Sequence, residues 1–83
     1  MKLWFIAQNR NNGYDTYDSA VVAAETEAEA RLIHPSCHND DWDGKERDRY
    51  GCWVDADLVE VEYIGEAKVG IKPSVICASF NAG

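Results

Sequence analysis

Residues 17–35 read YDSAVVAAETEAEARLIHP, and this stretch decides the architecture. An extended segment, a helix cap, a short helix and a proline stop follow one another. Val21 and Val22 are β-branched and favour a strand. Thr26 and Glu29 form a capping box, in which the threonine hydroxyl accepts from the Glu29 N–H and the glutamate carboxylate reaches back. Glu25, Glu27 and Glu29 lie near the positive end of the helix dipole. Ala30 and Ile33, with Leu32 beside them, supply the stripe to be buried. Pro35 disfavours the α conformation at His34, so the helix is expected to end there after about two turns. A helix that short is marginal alone and must be held by a sheet.

Moving toward the N-terminus, residues 3–7 (LWFIA) are a continuous apolar run. A run without alternation predicts a central strand covered, at least in part, on both faces. Asn12-Gly13 is a strong turn dipeptide because both residues tolerate positive φ, so the first two strands are expected to form a long hairpin. Toward the C-terminus, residues 36–51 (SCHNDDWDGKERDRYG) are polar and without apolar period. They read as one long loop, or a loop enclosing a helical turn, and loops of that length are usually functional or mobile. Residues 58–63 (LVEVEY) alternate, with Val59, Val61 and Tyr63 on one face and Glu60 and Glu62 on the other. Residues 75–80 (VICASF) are a second apolar run. The expected fold is α+β: a small single-layer antiparallel sheet, β-β-α-β-β, with one short helix packed on one face. The two apolar runs are expected at its centre, in strand order 2-1-4-3.

A chain of 83 residues makes a single domain over residues 1–83. A domain of this size buries roughly 60–65% of its unfolded surface, so its stability is modest. A hydrophobic content of 46% with three tryptophans supports a packed core and argues against disorder. Met1-Lys2 leads straight into the first strand without the pattern of a signal peptide, and no stretch has the roughly 20 apolar residues of a membrane span. Cys37, Cys52 and Cys77 are odd in number and lack framework spacing, which fits reduced thiols in a cytoplasm better than a disulfide scaffold. The net charge of −7 repels phosphate backbones and anionic membranes, so neither direct nucleic-acid binding nor membrane binding is expected. The attractive counterpart is a basic protein surface, although most small acidic proteins carry such charge for solubility.

Three constellations bear chemistry. His34, Cys37, His38 and Cys52 are ligand types for a tetrahedral zinc ion that would staple the long loop. Their spacing matches no standard pattern and a paired C-x2-C is absent. Two ordinary loop histidines, one loop cysteine and a Cys52 packed beside Trp53 account for them more simply. Asn39, Asp41, Asp43 and Gly44 fall at the first positions of an EF-hand-type loop, but Tyr50 stands where the bidentate glutamate belongs. Cys37 beside His38 is the sole nucleophile–base pairing, and neighbours along a chain often point apart. No nucleophile elbow, phosphate loop or dinucleotide fingerprint is present, so neither an enzyme nor a cofactor is expected. There remain aromatics set among carboxylates, above all Trp42 within Asp40, Asp41 and Asp43. Aromatics anchor interfaces while charge steers association.

The segments SAVVAAETEAEARLIHP, VEYIGEA and VICASFNAG resemble a group of small acidic proteins encoded by bacteriophages and prophages, over about half the chain. The resemblance carries no shared catalytic residues. It implies a role in the contest between phage and host, where small acidic proteins inhibit defence complexes in the manner of anti-CRISPR proteins by occupying nucleic-acid-binding surfaces. The expectation is a non-enzymatic interaction module in the host cytoplasm. It would bind a host protein with a basic surface, such as a CRISPR or other nucleic-acid-binding complex, through Asp40, Asp41, Trp42, Asp43, Glu60 and Glu62. The alternatives are a metal-stapled accessory domain, or a phage protein that self-associates as a homodimer through an exposed edge strand.

Overall fold

The computed structural model describes residues 1–11, 15–36, 42–45 and 52–81. Strand β1 (Lys2–Ala7) and strand β2 (Thr16–Ala24) are followed by helix α1 (Glu27–Arg31), a 3-10 turn at Ala56–Leu58, strand β3 (Glu60–Glu66) and strand β4 (Ser74–Asn81). All pairings are antiparallel, and the four strands form one sheet in the order β3-β1-β2-β4. The α+β class, the hairpin of β1 with β2 and, among the described residues, one short α-helix after β2 are as the sequence predicts. No helix among the described residues is long and apolar enough to cross a membrane.

The strand order corrects the expected 2-1-4-3. The hairpin β1–β2 occupies the centre, and β4 lies at an edge beside β2. An apolar run reads identically whether its two faces are covered or open, and in β4 they are open: Ile76 and Phe80 are each 48% exposed. The inner place falls to β2, whose Ala20, Val22, Ala23 and Ala24 are buried although Asp18 and Ser19 make its first half look polar. A register shift between Tyr17 and Ser19 takes Asp18 out of the ladder with β4 and lets its exposed carboxylate stay in water.

One face of the sheet carries the core. Ile6, Ala20, Val22 and Ala24 pack there against Ala30 of α1 and against Trp53, Val54 and Val59. The Thr26 hydroxyl accepts from the Glu29 N–H at 3.1 Å, so the threonine half of the capping box is present. The helix is shorter than expected. Leu32 N–H donates to Glu29 O and Ile33 N–H to Ala30 O, three-residue spacings that tighten the chain out of the α-helix before Pro35 is reached. Ala30 is buried and Ile33 packs on the core, but Leu32 turns outward and is 47% exposed. Arg31 fastens the helix from its other end: its guanidinium donates to the carbonyls of Ala56 and Val59 and pairs with Glu27 at 3.2 Å.

Candidate protein-binding surface

The opposite face of the sheet carries no described element, and the register shows what lies on it. Along β1, side chains alternate, so Trp4 and Ile6 face the core while Leu3, Phe5 and Ala7 face away. Phe5 stands opposite Val21 of β2 on one side and Glu62 of β3 on the other, and Ala7 stands opposite Ser19 and Glu60. Side chains directly opposite in an antiparallel pair have Cβ atoms about 5 Å apart, so these residues form one surface. It is an apolar strip of Leu3, Phe5 and Val21 bordered along β3 by two exposed carboxylates. Phe5 is 38% exposed, unusual for a phenylalanine on a central strand. The chemistry on offer is non-covalent: an apolar contact for a partner's side chain, and charge-assisted acceptors for its lysines or arginines.

Glu60 and Glu62 therefore lie on the solvent face of β3, where alternation predicts them. The rest of the expected acidic surface divides. Asp40 and Asp41 lie outside the described residues. Asp43 is exposed, and its Oδ1 accepts from the Lys45 N–H at 3.1 Å, an Asx-type turn. Trp42 is half-buried. It packs against the core, meets the His34 ring edge-on at a centroid distance of 5.1 Å, and donates its indole N–H to Lys45 O at 2.9 Å. Gly44 closes this segment against the 3-10 turn, accepting from the Ala56 N–H at 2.7 Å. Residues 42–45 are thus docked on the body of the protein, with Trp42 turned inward and Asp43 outward.

Of the candidate zinc ligands, Cys37 and His38 lie outside the described residues. His34 is buried, and its Nδ1 accepts from the Ser36 N–H at 3.2 Å. Cys52 is half-buried, and its carbonyl accepts from the Tyr17 N–H at 2.8 Å. Among the described residues, no three or more His, Cys, Asp or Glu side chains gather in a metal-binding arrangement. Of the EF-hand-type positions, Asn39 and Asp41 lie outside the described residues, and Gly44 is buried with its φ at +88°.

Sequence reasoning passed over Phe5, which was read as one member of a strand covered on both faces. The signal that could have found it is the alternation in β3. If Glu60 and Glu62 face solvent, the sheet has an open side, and every second residue of β1 must share it. No family model, curated protein or solved structure matches the chain, so the surface stands on its own geometry.

Proposed function

We propose that the protein is a non-enzymatic interaction module that uses the open face of its sheet to bind a basic surface on a protein partner. The observation that carries this reading is the juxtaposition of Phe5 with Glu62, and of Ala7 with Glu60, across β1 and β3. An apolar anchor beside desolvatable carboxylates fits a partner whose arginines or lysines surround an apolar contact, and a net charge of −7 steers such a partner inward. The phage resemblance suggests a nucleic-acid-binding host defence complex as that partner, with inhibition arising because the acidic face competes with nucleic acid for the same basic groove. Asp43 is exposed on a segment that Trp42 docks against the core layer, not on the open face, and Asp40 and Asp41 lie outside the described residues, so Glu60 and Glu62 carry the acidic part of this surface.

The test is capture of partners from bacterial lysate by the tagged protein, washed in low and then high salt. The expected result is a basic nucleic-acid-binding protein that is released by salt and lost when Glu60→Lys and Glu62→Lys are combined. Capture that is indifferent to salt and to the double substitution overturns the reading.

A further inference from the structure

The two edges of the sheet are built differently. On β3, Glu60, Glu62 and Glu66 are all exposed, and a register shift against β1 disturbs the strand near Gly65. Charged side chains and bulges are how a sheet edge resists the addition of another strand. On β4, SVICASFN carries no charged residue over its eight positions. Only its β2 side is paired among the described strands. The covering layer reaches only the start of β4, where Val75 packs on the core beside Val22: Ala78 stands opposite the buried Ala20, yet Ala78, Ile76, Cys77 and Phe80 are exposed. An uncharged, apolar strand with an open ladder, exposed from Ile76 to Phe80, is a template for strand pairing.

We propose that β4 is a homodimer edge, at which two copies of the chain join by antiparallel β4–β4 pairing about a two-fold axis. The sheet then continues from one copy into the other, and the glutamate-bearing β3 strands end it at both sides. Charge selects a second copy as the occupant. Molecules of charge −7 repel one another most where their carboxylates meet, and of the two edge strands β4 is the one on which there are none. Charge also selects the antiparallel sense. Exposed Lys72 precedes the start of β4, whereas exposed Asp15 and Asp18 flank the β2 residues Thr16 and Tyr17, which pair with Asn81 and Phe80 at its end. Antiparallel pairing sets the start of one β4 against the end of the other. Lys72 of each copy then approaches the Asp15–Asp18 corner of its neighbour two strands away, roughly 10 Å, which is about one Debye length. Parallel pairing would instead bring the two Lys72 side chains together.

The test is sedimentation velocity of the whole chain in reductant, from low micromolar to several hundred micromolar. The expected result is a monomer–dimer equilibrium that Ile76→Lys weakens about tenfold or more. Val69→Lys, at a side chain 99% exposed outside the strands, should leave it unchanged. So should the Glu60→Lys, Glu62→Lys pair, which separates this edge from the partner-binding face. Hydrogen exchange on the unsubstituted protein gives an independent reading: β4 amides should gain protection as concentration rises. A monomer throughout the range, a dimer unaffected by a correctly folded Ile76→Lys, or β4 exchange independent of concentration would each overturn the proposal.

Discussion

The Asn11 carboxamide donates to the main-chain oxygen of Trp53 at 3.0 Å, joining the β1–β2 connection to the most deeply buried tryptophan across 42 positions of sequence. Gln8 sets Asn11 in place for this. Its Nε2 donates to Asn11 O and Tyr17 O, and its Oε1 accepts from the N–H groups of Arg10 and Asn11, all between 2.7 and 2.8 Å. The hairpin connection is thereby organised by one buried side chain, whose four bonds use its full capacity.

Replacing Gln8 by Leu keeps the bulk but removes all four bonds, and replacing Asn11 by Ala removes the link to Trp53. Urea unfolding should show a loss of about 2–4 kcal/mol for Gln8→Leu and about 1–2 kcal/mol for Asn11→Ala. Equal, negligible losses for both would mean that water replaces these bonds at no cost.

Gly44 sits at a φ of +88°, and a Cβ built there would meet Leu32 Cδ2 at 3.0 Å and Ala56 Cβ at 3.1 Å. Backbone strain and crowding act together, so Gly44→Ala should cost about 1–3 kcal/mol. The loss should be accompanied by a change in Trp42 fluorescence as residues 42–45 shift from the core, read as a difference from the Trp42→Phe background.

Arg31 reaches two carbonyls and Glu27 with one guanidinium. Lysine retains the charge but not the fork, so Arg31→Lys should lose about 1–2 kcal/mol of stability. Glu27→Gln, which weakens only the exposed i,i+4 pair, should cost less than about 0.5 kcal/mol. If the lysine variant is as stable as the parent, the carbonyl contacts contribute nothing.

Tyr63 donates its hydroxyl to Glu66 at 2.8 Å. That hydrogen bond, then partial desolvation and the nearby carboxylate charge, raise its pKa above the ordinary tyrosine value. A folded-state pKa above the unfolded one gives a stabilisation that is complete below the ordinary tyrosine range near 10 and is lost as pH rises through the folded value. Ultraviolet titration against Tyr63→Phe should show one phenol ionising late, and Glu66→Gln should bring it back toward the others. A Tyr63 that titrates with the ordinary tyrosines would remove this contact from the account.

Local signals were legible where one residue type had one physical use. The Thr26 cap and the alternation of β3 follow from side-chain geometry alone, and each points to the element observed. Asn12-Gly13 lies outside the described residues, but the pairing of β1 with β2 that it predicts is present. Position within the sheet was not legible, because Ile76 and Phe80 look as apolar on an exposed edge as in a core. Trp42 was misleading for the opposite reason. Its sequence neighbours are carboxylates, yet its indole lies against His34 and Lys45 O, contacts set by how residues 42–45 dock. The open-face position of Phe5 needed the register between β1 and β3, which no single segment contains.

The order β3-β1-β2-β4 places the hairpin at the centre and adds one strand to each side of it. β4 is the last of the four in chain order, and it must find β2 across the whole intervening sequence. While the chain is being made, the hairpin therefore exists before its flanks, and the outer edge of β2, with Val21 and Val22, waits longest for its partner. Synthesis thus passes through an interval in which a strand destined for the interior serves temporarily as a border. Pauses in translation between β3 and β4 would prolong that interval and favour aggregation of the nascent chain.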